Sequence, residues 1–177
     1  MKLVVISDSH GTNENVIKIS HLANKMGVSK IIHLGDDYDD AELLIEEGFE
    51  VERVPGVFSS YYTEKDIANR KIIEINGWKI LLTHTKEHHE NDLPFDIKPE
   101  EVINNEKVDI VLYGHTHIPA IEKQGNVYLV NPGHLKEWDK KGYKPSFAIL
   151  VVDEKTVEIS IKELDTEKEI LREVIKK

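Results

Sequence analysis

Short continuous apolar runs, each ending abruptly in polar residues, mark the first half of the chain. Leu3 to Ile6 is rich in β-branched residues and gives way to Ser7-Asp8-Ser9-His10-Gly11. It reads as a buried strand ending in a polar loop. Asn13 can cap a helix to about Met26, with Val16, Ile17, Ile19, Leu22, Ala23 and Met26 on its apolar side, and Gly27 ends it. Lys30 to Leu34 is a second strand that runs straight into Gly35-Asp36-Asp37. A strand–helix–strand unit favours parallel pairing with a right-handed crossover. Asp40 to Glu47 reads as a short helix stopped by Gly48, and Glu50 to Val54 as a third strand closed by Pro55-Gly56.

The texture then changes to hairpins. Arg70 to Ile75 and Trp78 to Thr83 flank Asn76-Gly77, a strong two-residue turn signal, and the second run ends in His84. Lys86 to Lys98 holds two prolines and no clear period, so it reads as a long loop. Pro99 can open a helix to about Lys107. Val108 to Leu112 is again apolar and meets Tyr113-Gly114-His115-Thr116-His117. Pro119 to Lys123 and Val127 to Val130 form a second hairpin about Gly125-Asn126, closed by Asn131-Pro132-Gly133. Ser146 to Val152 and Val157 to Ile161 are two further strands. Beyond Thr166, the spacing of Ile170, Leu171, Val174 and Ile175 predicts a helix packed on the surface. No repeat or linker interrupts the chain, so residues 1–177 are expected to form a single α/β domain. Two sheets packed face to face and covered by helices satisfy both halves.

Composition narrows the partners. Net charge is −10, and lysines and arginines are interspersed with acids. That argues against a nucleic acid polymer as partner. No apolar run approaches the ~18 residues of a membrane span, so no membrane partner is expected. Cysteine is absent, which suits a reducing, cytoplasmic location and restricts any metal site to nitrogen and oxygen ligands.

Candidate chemistry collects at the strand ends. Asp8 and His10 follow the first strand, Asp36 the second, His84 the hairpin, and His115 and His117 the run from Val108. In open α/β sheets, ligands gather beyond the carboxyl ends of strands. In an extended segment, residues i and i+2 share a side, so His115 and His117 can grip one site or two adjacent sites. Any one aspartate after a strand is ordinarily a turn or N-cap residue. Six such ligands together suit manganese, iron, zinc, nickel or cobalt better than calcium. Two metals about 3.5–4 Å apart can clamp a phosphoryl oxygen.

Asp8-Ser9-His10, Gly35-Asp36, His84 and Gly114-His115-Thr116-His117 together resemble the calcineurin-like metallophosphoesterase superfamily. Asn131-Pro132-Gly133 also resembles its small bacterial and archaeal phosphodiesterase branch. The resemblance spans about Lys2 to Val152 and implies a four-layer α/β/β/α sandwich, two mixed β-sheets flanked by helices. It implies one metal on Asp8, His10 and His117, a second on His84 and His115, and Asp36 bridging. One or two divalent ions are expected, with manganese favoured. The implied reaction is hydrolysis of a small phosphate ester, a diester favoured over a monoester, by in-line attack of metal-bound hydroxide. Asp36, His115 and His84 carry the catalytic roles.

The departures bear on the second metal. The family has Gly-Asn after the third strand, and here Gly56 is followed by Val57-Phe58-Ser59-Ser60. Valine cannot ligate. Lys86 stands where many relatives carry histidine, and His134 where many carry serine. The run His88-His89-Glu90-Asn91-Asp92 can supply a ligand or proton donor, its plainer reading being a solvated loop. His88, His89, Asn131 and His134 are the candidate substrate contacts, whereas His21 and His33 read as structural. The alternative function is a non-catalytic protein-binding scaffold with a degenerate metal site, as in a retromer subunit that resembles these enzymes.

Overall fold

The computed structural model describes residues Met1–Lys177. Its elements are β1 (Lys2–Ile6), α1 (Asn13–Lys25), β2 (Lys30–His33), α2 (Glu42–Glu46), β3 (Glu50–Arg53), β4 (Arg70–Ile75), β5 (Trp78–Thr83), α3 (Pro99–Asn104), β6 (Ile110–Leu112), β7 (Ala120–Gln124), β8 (Val127–Asn131), β9 (Ser146–Val152), β10 (Thr156–Glu163) and β11 (Glu169–Lys176). One sheet runs β11-β10-β9-β1-β2-β3 and the other β4-β5-β6-β8-β7. Both are mixed. β1, β2 and β3 are parallel, as are β5, β6 and β8, while the remaining pairings are antiparallel. No helix is long and apolar enough to cross a membrane.

The continuous apolar runs have a direct cause. A strand covered on both faces needs apolar side chains on both. Leu3 and Val5 of β1 enter the core between the sheets, while Val4 and Ile6 pack with Val16, Ile19 and Ala23 of α1. Likewise Ile80, Leu82, Ile110 and Leu112 point between the sheets, and Leu81 and Val111 meet Val102 and Ile103 of α3. The layers are therefore helix, sheet, sheet, helix.

Two helices are shorter than their sequence pattern suggests. Tyr38–Ala41 is a 3-10 turn leading into α2, and α3 stops at Asn104. The tail is a larger correction. The predicted C-terminal helix is instead β11, which pairs antiparallel with β10 along its length. The register shifts between Ile161 and Lys162, where Leu171 and then Glu169 are the partners, leaving Ile170 unpaired. This bulge re-phases the strand. Ile170 and Ile175 thus both reach the inter-sheet core although five residues apart, which imitates helical spacing.

The two arrangements make different demands on Leu171. In the strand it is exposed, whereas Ile175 is buried. Ile175→Ala is expected to cost about 2–5 kcal/mol. Leu171→Ala should lie within about 0.5 kcal/mol of wild type, both read from urea unfolding midpoints at constant slope. Equal costs at the two positions would restore the helix.

Candidate metal centre

Parallel pairing places the carboxyl ends of β1 and β2 on one edge of the first sheet, and those of β5 and β6 on one edge of the second. The loops leaving those four ends carry all six candidate ligands. Their backbone is unusual. Eight non-glycine residues have φ in the left-handed region, and five are Asp8 (53°), His10 (48°), Asp36 (85°), His115 (65°) and His117 (59°). Such conformations are uncommon outside glycine and persist where surrounding structure enforces them. Glycines allow the loops to close up. A Cβ on Gly114 would lie 1.9 Å from Ser7 Oγ, and one on Gly56 would lie 2.5 Å from Asp36 Cα.

Asp8 is the buried hub, 1% exposed. It accepts hydrogen bonds from Ser7 Oγ at 2.6 Å and from the His115 N–H at 2.9 Å. Its Oδ1 lies 3.3 Å from His117 Nε2 and 4.0 Å from His84 Nε2. His117 Nε2 is 3.0 Å from His10 Nε2, and His10 Nδ1 contacts Asp36. Two ligand sets result, Asp8–His10–His117 and Asp8–Asp36–His84, each with its donor atoms within 4.8 Å of one another. His115 Nδ1 stands 3.3 Å from His84 Nε2.

The imidazole tautomers test whether a cation suits this cluster. His84 Nδ1–H donates to the Leu34 carbonyl at 2.8 Å. His117 Nδ1–H donates to Asp139 at 2.7 Å. In a neutral ring that leaves a lone pair on Nε2, and both Nε2 atoms face the Asp8 carboxylate. Lone pairs aimed at a buried anion need a cation between them. Metal-ligating histidines carry outer partners of this kind, a carbonyl or a carboxylate. The donor set therefore fits a divalent ion.

Ionisation follows from the same contacts. Burial pushes the Asp8 carboxyl up, but hydrogen bonding to His117, the nearby His84 and the Ser7 hydroxyl outweigh it and hold it low. The hydrogen bond to Asp8, followed by that to Asp139, raises His117 despite burial. His115 is lowered by burial and by His84 beside it. His33 is fully buried and pushed down to about 4 by that burial. It accepts from the Gly35 N–H at 3.2 Å and meets Ser9 Oγ at 3.1 Å, tying the first two loops together.

The remaining candidates separate in space. Asn131 is fully buried and donates to the Gly114 carbonyl at 2.8 Å and to Thr116 Oγ1 at 3.0 Å, bracing the histidine loop. His134 is fully buried, donates to the Tyr143 carbonyl and stacks 5.4 Å from His117. His88 is exposed and turns to Glu100 at 3.0 Å. His88 and His89 both line, with His115, Lys86 and Thr116, a cleft of about 240 Å³. The Val57 side chain is buried and contributes no ligand. Sequence reasoning missed Asp139, which sits in a loop without periodicity and carries no motif. Burial pushes its carboxyl up, but the hydrogen bonds to His117 and from the Lys141 N–H bring it down to about 2.

Comparison with known proteins identifies the family and the fold. Residues 1–155 match the calcineurin-like phosphoesterase superfamily domain. Phosphodiesterase MJ0936 of Methanocaldococcus jannaschii is 28% identical, with 99% of each chain covered. The crystal structure of YfcE, described as a phosphoesterase from E. coli, superposes with a TM-score of 0.73 at 24% identity, covering 98% of both chains. Vps29 of Entamoeba histolytica, solved in complex with zinc, has the same fold at TM-score 0.67 and 21% identity, covering 99% of each chain.

Asp139→Asn is expected to weaken manganese binding about 10–100-fold by isothermal titration, because the His117 ring loses its orienting carboxylate. Ligation requires neutral imidazole, and a raised His117 holds its proton to higher pH. Manganese affinity should therefore begin to fall above the ordinary imidazole value of about 6.5 as pH decreases. In Asp139→Asn that onset should move to lower pH. An unchanged pH onset in the variant would show that Asp139 does not act through His117.

Proposed function

The chain belongs to the calcineurin-like phosphoesterase superfamily and is a metal-dependent phosphoesterase, and from that premise we propose that it hydrolyses phosphodiesters of small molecules. The observation that carries this is the pair of imidazoles, His84 and His117, whose free nitrogens are pinned toward the buried Asp8 carboxylate. Asp8, His10 and His117 would hold one ion, and His84 and His115 the second. Asp36 reaches both sets, touching His10 and lying in one cluster with Asp8 and His84. Divalent ions held there, manganese favoured, would supply positive charge to phosphoryl oxygens and a means of activating water.

The protein's own groups point to direct hydrolysis. Three hydroxyls beside the ligand residues are engaged. Ser7 donates to Asp8, Ser9 meets His33, and Thr116 accepts from Asn131. None of these three is presented as a nucleophile, which supports direct hydrolysis without a covalent enzyme intermediate. His115 faces the cleft beside the cluster, where it would bind a phosphoryl oxygen as charge builds on it. The cleft and the net charge of −10 favour a small ester over a polymeric nucleic acid.

Val57 supports a second reading. The second ion set lacks a ligand from that loop, and the same fold occurs in Vacuolar Protein Sorting 29 of Cryptosporidium parvum, a protein named for sorting. On this reading the chain is a protein-binding scaffold. Retention of six converging ligands favours the enzyme.

Two measurements separate the readings. With manganese present, the protein is expected to hydrolyse bis-p-nitrophenyl phosphate, and Asp36→Asn should lower the rate about 100-fold or more. Equal rates for both proteins would leave the scaffold. Titration of metal-free protein should show two steps of unequal affinity, and two equally tight ions would remove the consequence assigned to Val57.

A further inference from the structure

The loop from Thr85 to Lys98 is more constrained than its composition suggests. Its anchor is Arg70 on β4, whose side chain is 1% exposed. The guanidinium meets Asp92 through Nη1 at 2.9 Å and Nη2 at 3.0 Å. Nε donates to Thr83 Oγ1 at 3.1 Å. Tyr62 donates its hydroxyl to the same Asp92 at 2.6 Å. Burial raises the Asp92 carboxyl, but the Arg70 and Tyr62 hydrogen bonds hold it below its usual value. Asp92 in turn accepts the His89 N–H at 3.0 Å, and its own N–H donates to the His89 carbonyl at 2.9 Å. Asn91 Nδ2 clips the turn to the Val57 carbonyl at 2.8 Å. A buried arginine thus fastens a four-residue turn against the segment that lacks the expected polar ligand.

That turn sets the His89 ring against Phe58 and His115 at the edge of the cleft. The His89 ring lies 5.5 Å from Phe58, at 89° to it, and 6.4 Å from His115. Its Nδ1 accepts the Asn91 N–H at 3.2 Å. In the neutral ring the hydrogen then sits on Nε2, which has no protein partner. A metal ligand needs a lone pair at that atom, whereas a phosphoryl oxygen needs a donor. We propose that His89 is a substrate-binding residue, donating its Nε2–H to a non-bridging phosphoryl oxygen on the side where Val57 and Phe58 offer no polar group. The inference rests on the phosphoesterase reading of the adjacent metal cluster. His88 lines the same cleft, but its Nδ1 is taken by Glu100 at 3.0 Å and it makes no ring contact with Phe58 or His115.

The test uses manganese-loaded full-length protein, with inorganic phosphate as the binding probe and bis-p-nitrophenyl phosphate as substrate. His89→Ala should weaken phosphate binding about tenfold by calorimetry, as expected for a lost hydrogen bond to a charged group. It should lower kcat/KM about 100-fold. Manganese content by mass spectrometry should stay at the wild-type value. His89→Gln keeps an N–H donor and should recover most of both losses. Loss of manganese in His89→Ala would make the residue a ligand and overturn the proposal. Phosphate affinity and kcat/KM within twofold of wild type would also overturn it, leaving a solvated loop residue. If wild type binds phosphate through His89 yet cleaves no ester, the contact stands and the phosphodiesterase reading falls.

Discussion

A buried carboxylate facing two imidazole lone pairs sets the terms for the rest of this structure. Asp8 is almost fully enclosed at the end of β1, and His84 and His117 turn their Nε2 atoms toward it. Neither ring can swap its tautomer cheaply, because Leu34 and Asp139 hold the opposite nitrogens. An apolar interior tolerates such an arrangement only when positive charge enters it. Hydrogen bonding to Asp8 and Asp139 raises His117, so the ring holds a proton more readily there, and a divalent ion would supply that positive charge better. Metal binding and the integrity of the rim are one problem here.

Holding that rim requires a stiff frame. Five ligand residues sit in left-handed backbone, each a conformation that costs of order 1–3 kcal/mol. The loops keep these conformations because their strands are covered on both faces. Leu3, Val5, Ile80, Leu82, Ile110 and Leu112 join the sheets, and α1 and α3 cover the outer faces. Gly114 and Gly56 then let one loop settle against the next, where any side chain would strike Ser7 or Asp36. The strain is distributed along the ends of β1, β2 and β6, and the core burial of those same strands offsets it.

The two sides of the site are braced differently. On one side His117 is backed by Asp139 and by the buried His134. On the other, Val57 is turned into the interior and its carbonyl accepts from Asn91, in a turn fastened by Arg70 and Asp92. His89 reaches the cleft because a guanidinium on β4, far from it in sequence, holds that turn.

Much of the architecture was legible in the chain itself. Doubly covered strands write unbroken apolar runs, the Asn76-Gly77 turn writes its own hairpin, and ligands placed after strand ends write the chemistry. These are local signals, since backbone preference and burial pattern act within a few residues. The tail was misread because the bulge at Ile170 shifts the strand's phase, and such a shift comes from pairing with β10. Asp139, the pairing of His88 with Glu100 and the fastening of His89 left no trace in the linear order, because each depends on a partner distant in sequence or a turn set by one. The sequence by itself determined which residues were available to bind a cation and which strands would carry them. Only the tertiary structure decided which nitrogen of each ring faces Asp8, because a tautomer is chosen by the neighbour on its far side.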